Sequence, residues 1–133
     1  MTIQLWCLAA AVALPYLWAG ASIPFRSAQF GQPDLNYPRR QGDALTDRGA
    51  GAWGAQANAW ENLGVFVAAN LAAFMAGVDP AGHWATACLV WVGARAAHGV
   101  FYIANVATLR VLSFVVGLAM CGWIFAQALG ATP

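Results

Sequence analysis

The 133-residue chain reads as an all-α integral membrane protein, a four-helix bundle with antiparallel neighbours and both termini on the non-cytoplasmic side. Its composition is the first observation: 61% of residues are hydrophobic, 8% are charged and the mean hydropathy is +0.60. Soluble domains average about 45–50% apolar and about 25% charged residues, so the polar side chains here are too few to cover a water-facing shell. The second observation is run length. Four apolar stretches each approach the roughly 20 residues that a helix needs to cross a bilayer. Third, these stretches lack the alternating pattern of a membrane β-barrel strand. The six basic residues are all arginine and face five acids, leaving a net charge of +1. No basic field exists to attract nucleic acid.

The first run spans about 3–25, lacks the basic leader of a cleavable signal peptide, and is expected to bend at Pro15. From 26 to 52 the chain turns polar, with Pro33, Pro38, Arg39, Arg40, Asp43, Asp47 and Arg48, and reads as its one long loop. The second run covers about 53–78 and stops at Asp79-Pro80; the third covers about 82–104 and the fourth about 109–129. Short connections after the second and third runs make neighbouring helices antiparallel. The chain is therefore read as one domain, 1–133, without an internal linker.

Orientation follows from the arginines, because short cytoplasmic loops retain positive charge. Four lie at Arg26, Arg39, Arg40 and Arg48, and Arg110 sits at the third-to-fourth junction, whereas the Asp79 turn has none. The 26–52 loop is thus expected on the cytoplasmic side of a multi-pass protein of the bacterial inner membrane. Cys7, Cys88 and Cys121 lie inside apolar runs without CxxC spacing and read as packing residues. Most of the tryptophans Trp6, Trp18, Trp53, Trp84, Trp91 and Trp123 read as interfacial anchors.

Polar residues within the runs carry the functional signal. Asn58, Glu61, Asn62 and Asn70 lie on the second helix, and Arg95, His98 and Tyr102 on the third. Ionisable groups at membrane depth cost several kcal/mol and normally face the bundle interior or a cavity. Asn58 and Glu61 are three apart, while Arg95, His98 and Tyr102 follow i, i+3, i+7 spacing, so each set shares one helical face. Counted from the cytoplasmic ends, Glu61 lies roughly 12 Å deep and Arg95 at similar depth, so the two charges can meet. Arg110 stands just across the short connection. One reading is a structural ion pair that fixes helix register; the other is a site for a small anionic ligand, since the arginines, histidine, tyrosine and asparagines exceed what one carboxylate needs.

These residues also carry a family resemblance. The stretch 55–66, with A-x-x-N-x-x-E ending at Glu61, is followed by R-x-x-H-x-x-x-Y over 95–102 and then Leu109-Arg110. It resembles the membrane-associated proteins in eicosanoid and glutathione metabolism, the MAPEG family. The resemblance implies a homotrimer of four-helix protomers with glutathione as co-substrate between subunits on the cytoplasmic side. It implies that Asn58 and Glu61 contact the peptide, that Arg95 pairs with Glu61 or holds a carboxylate, and that His98 and Tyr102 line the cysteinyl end. It gives Arg110 the catalytic role of favouring thiolate over thiol. Departures are visible: family arginines three, four and seven residues before the asparagine are Ala55, Gly54 and Gly51 here, leaving Arg48 as a substitute only if the loop folds back. Val111 follows Arg110 where prostaglandin E synthase has serine, and Ser113 is displaced, which argues against prostaglandin synthesis.

Two functions are therefore expected to compete. One is a glutathione-dependent transferase or peroxidase acting on lipophilic electrophiles from the bilayer. The other is a non-catalytic structural or accessory subunit of a larger membrane complex. A channel is disfavoured because no polar stripe continues to the far face. Trp60 reads as packing, with a substrate groove as the lesser alternative, and His83 as an interfacial residue.

Overall fold

A computed structural model describes residues 2–131 as five helices with no strand among them. They are α1 (Thr2–Phe30), α2 (Pro38–Asp43), α3 (Asp47–Met75), α4 (His83–Ile103) and α5 (Ala107–Ala131). The apolar runs mark the part of each helix suited to lipid, whereas backbone hydrogen bonding carries the helices further. Hence α1 extends to Phe30 and α3 begins at Asp47, so much of the expected 26–52 loop is helical. Helix α1 passes through Pro15 and Pro24 without a break.

Helices α1, α4 and α5 are long and apolar enough to cross a membrane. Helix α3 has 29 residues, but Asp47, Arg48, Gln56, Asn58, Glu61, Asn62 and Asn70 keep it outside that set. Contacts define the helix directions. Gly51 meets Tyr102 near the α4 end and Asn70 bonds Trp84 near its start, so α3 and α4 are antiparallel. His98 packs on Phe114 and His83 on Trp123, so α4 and α5 are antiparallel too.

Two helix stops set these pairings. Gly77, at φ 69°, ends α3 as Gly77 N–H donates to Phe74 and Val78 N–H to Ala73. Asn105, at φ 57°, ends α4 in the same way, with Asn105 N–H bonded to Tyr102 and Val106 N–H to Phe101. A left-handed residue after the last turn satisfies carbonyls that would otherwise lack partners, and glycine and asparagine tolerate it best.

The apolar core occupies the half away from α2. Phe66 stacks on Trp91 with centroids 3.8 Å apart, surrounded by Cys7, Ala69, Cys88, Cys121 and Ile124. Trp84 and Trp91 are both buried, which corrects their reading as interfacial anchors: each ring faces a neighbouring helix rather than a headgroup layer. All three cysteines are free and buried, as their packing role requires. Asn70 is a satisfied core residue. Its amide nitrogen donates to the Phe66 carbonyl at 2.8 Å, while its Oδ1 accepts from Trp84 Nε1 at 2.9 Å and Cys88 Sγ at 3.1 Å. Asn70→Ala should lower stability by about 1 kcal/mol, the scale of an interhelical polar contact in membrane proteins. A downward shift of the thermal midpoint in detergent would register it.

At the opposite end, Arg26 folds the connection back on the helices. Its Nη1 donates to the Pro38 carbonyl at 2.7 Å and to Gln41 Oε1 at 3.2 Å, and its guanidinium lies 5.1 Å from the Trp53 ring centroid. Trp53 Nε1 in turn donates to Asp43 Oδ1 at 2.8 Å. Asp34 Oδ1 accepts from the backbone N–H groups of Tyr37 and Asn36, which hold its carboxyl below the usual carboxylate range.

Candidate functional site

The cluster is built from three helices, and the stop at Asn105 brings its outer members together. Only three residues separate α4 from α5, so Arg110 in the first turns of α5 lies beside Tyr102 in the last turn of α4. Its guanidinium carbon sits 4.5 Å from the Tyr102 ring centroid, a cation–π distance. One α4 turn deeper, the His98 ring packs edge-on against Tyr102 at 5.5 Å and lies 6.0 Å from Phe114. A further turn down, Arg95 lies 5.7 Å from the Phe114 ring centroid. Gly117 makes room for it: a Cβ there would stand 3.1 Å from Arg95 Cδ.

Arg95 is only 3% exposed and His98 4% exposed. Arg95 Nη2 donates to Asn58 Oδ1, whereas its Nε and Nη1 are buried without a hydrogen-bond partner. The direct Glu61–Arg95 ion pair expected from equal depth does not form. Instead Asn58 stands between the two charges, its Oδ1 toward Arg95 and its amide nitrogen 3.5 Å from Glu61 Oε2. Equal depth fixes height along the helices but not direction around them; the Glu61 side chain lies on the exposed surface of α3. Asn62 braces Asn58 by donating to its backbone carbonyl at 2.9 Å.

Thus Asn58 and Arg95 are joined through the Phe114 ring to His98, Tyr102 and Arg110, with Glu61 at the exposed edge. Phe114 and Gly117 complete the cluster's wall and were not among the expected site residues. Their i+4 and i+7 spacing from Arg110 was the signal that places them on the same face.

The arginine-to-glycine departures have a packing cause. A Cβ at Gly51 would stand 2.6 Å from the Tyr102 carbonyl oxygen, and one at Gly54 would stand 2.8 Å from the Tyr102 ring. Neither position has room for a cation pointing at the cluster. Arg48 does not replace them: it lines a separate groove with Trp18, Phe25, Val100, Ile103 and Ala104. Ser113 is also accounted for, because its hydroxyl points back to the Leu109 and Arg110 carbonyls, at 2.8 and 3.0 Å. Trp60 packs edge-on against Tyr16 at 5.4 Å, away from the Arg110–Tyr102 pair. Among the described residues, no group of three His, Cys, Asp or Glu side chains could hold a metal ion.

No curated protein and no solved structure matches the chain. The MAPEG family model, in contrast, matches residues 3–130, which include every member of the cluster, and the chain therefore belongs to the MAPEG family.

Proposed function

We propose that the protein is a membrane-bound glutathione-dependent transferase or peroxidase that acts on lipophilic electrophiles by thiolate activation. The observation that carries this reading is the unmatched positive charge of the cluster: Arg95 is buried with two guanidinium nitrogens unpartnered, and Arg110 meets a ring rather than a carboxylate. A buried cation without a counter-ion is costly, and an anionic tripeptide that reaches it would offset that cost. In this reading Asn58, Glu61 and Arg95 hold the peptide, His98 and Tyr102 line the cysteinyl end, and Arg110 favours the thiolate. The thiolate sulfur then bonds to the electrophilic carbon as the leaving group departs with its electron pair.

Glu61 lies on an exposed helix surface, which suits a site completed by a neighbouring subunit in a homotrimer. All four long helices cross the bilayer in this arrangement, α3 being lined by its partners. The α2 end faces the cytoplasm, and both chain termini face the other side of a bacterial inner membrane. Isothermal titration of the detergent-purified protein should give saturable glutathione binding, and absence of binding at millimolar glutathione overturns the proposal.

One observation favours a second reading, a non-catalytic accessory subunit of a membrane complex. Gly51 and Gly54 close α3 on α4 where other family members place cations. Native pull-down separates the two: a stoichiometric foreign partner with no glutathione binding supports the accessory role, and an isolated homotrimer that binds glutathione excludes it.

A further inference from the structure

On the other side of α4 stands another arginine without a counter-ion, besides Arg95 and Arg110. Arg48, in the first turn of α3, has no hydrogen bond, ion pair or ring contact among the described residues. It borders a groove of about 320 Å³ between α1 and α4, whose remaining lining is Trp18, Phe25, Val100, Ile103 and Ala104. The groove is distinct from the cluster. On α4, Val100 and Ala104 face away from Arg95 and His98, which turn toward α3 and α5.

Its shape has a local cause. Gly99 lets the Trp18 ring lie directly against the α4 backbone, with a hypothetical Cβ only 2.2 Å from the ring. The indole is drawn inward, and a shallow apolar trough is left beside it with Val100 53% exposed. A cation in the first turn of a helix gains nothing from the helix dipole, whose positive end is there. Retention of the segment on the cytoplasmic side asks only for positive charge somewhere near it; it does not ask for a guanidinium beside an apolar trough, which is where Arg48 stands.

We propose that this groove is a binding site for an anionic phospholipid, with the headgroup phosphate on Arg48 and an acyl chain along Trp18, Phe25, Val100 and Ile103. Charge complementarity selects the occupant: the groove offers one cationic group and otherwise hydrocarbon, the pattern of a single anionic head on an apolar tail. Guanidinium suits phosphate because its forked N–H groups contact two oxygens at once. The site does not depend on glutathione chemistry, so either assignment can fail without the other.

The test uses the full-length protein in phosphatidylcholine nanodiscs doped with phosphatidylglycerol brominated on its acyl chains, because bromine quenches nearby indoles. At equal doping, brominated phosphatidylglycerol should quench tryptophan fluorescence more than brominated phosphatidylcholine. The underlying preference should be about fivefold, the effect of one interfacial arginine. The excess should disappear in Trp18→Phe, fall to near parity in Arg48→Gln and persist in Arg48→Lys. Arg48 is exposed, so its variants should fold, and retained helical circular dichroism checks this. Equal quenching by the two lipids, or an excess unchanged in Arg48→Gln, overturns the proposal. So does quenching by a brominated free fatty acid that phosphatidylglycerol cannot displace, or a groove shielded from all brominated lipid by a second copy of the chain.

Discussion

Arg110→Ala should lower turnover about 100-fold, the usual consequence of removing one pre-positioned group that stabilises a developing or resident anion. The thiolate absorbance of bound glutathione should fall with it, while the affinity for glutathione changes far less. The separation follows from geometry. Arg110 occupies the outer end of the cluster, held over the Tyr102 ring at 4.5 Å, whereas Arg95 and Asn58 sit two α4 turns deeper and are bonded to each other. In the proposed mechanism, removal of the outer cation should take away the field that favours thiolate and leave the deeper donors in place. Arg110→Lys should recover part of the rate, since it returns the charge without the planar fork. Tyr102→Phe should cost much less than Arg110→Ala, because a phenyl ring preserves most of the cation–π support. Ser113 cannot compensate in any of these variants, its hydroxyl being engaged by carbonyls of its own helix. Full thiolate absorbance in Arg110→Ala would show that another group activates the sulfur.

The parts of this site that were legible in the sequence are those set by helical period. Arg95, His98 and Tyr102 recur at i, i+3, i+7, so their common face needed no tertiary information, and a short connection between runs ending near 104 and starting near 109 placed Arg110 close to Tyr102. That Glu61 and Arg95 stand apart was not legible, because similar depth leaves the azimuth of each side chain open; Asn58 fills the space between them. Arg26 shows the same limit. Counted only as a loop charge, it is in fact 6% exposed and holds the chain at Pro38 and Gln41, twelve and fifteen residues away. The short α2 exists against a Gly- and Pro-rich composition because those distant contacts hold it. Trp84 and Trp91 lie on apolar faces that hydropathy alone cannot assign to lipid or to a neighbouring helix.

Gly51→Ala should destabilise the protein by about 3 kcal/mol, the upper end of the range for overpacking, and Gly64→Ala should not. Both glycines lie in α3, where alanine is the better helix former by about 1 kcal/mol, so propensity alone predicts the same gain at both. Packing separates them. A Cβ on Gly51 would meet the Tyr102 carbonyl oxygen at 2.6 Å and the Ile103 Cα at 3.1 Å, both backbone atoms that no rotamer change can move. Around Gly64 no heavy atom of the same protomer lies within 4 Å, so an added methyl group meets none of the backbone that blocks position 51 and the propensity gain is unopposed within the bundle. Thermal unfolding in detergent should therefore show opposite shifts of the midpoint. The functional readout links the pair to the cluster. Separation of α3 from α4 at Gly51 also draws Asn58, two turns along α3, away from Arg95, so Gly51→Ala should weaken glutathione binding although residue 51 meets only backbone atoms and none of the cluster's side chains. A stable Gly51→Ala protein with unchanged glutathione affinity would mean that the two helices can part at this end without disturbing the Asn58–Arg95 contact. The close approach would then serve packing alone, and the missing arginine at this position would be the only mark that Gly51 leaves on the site.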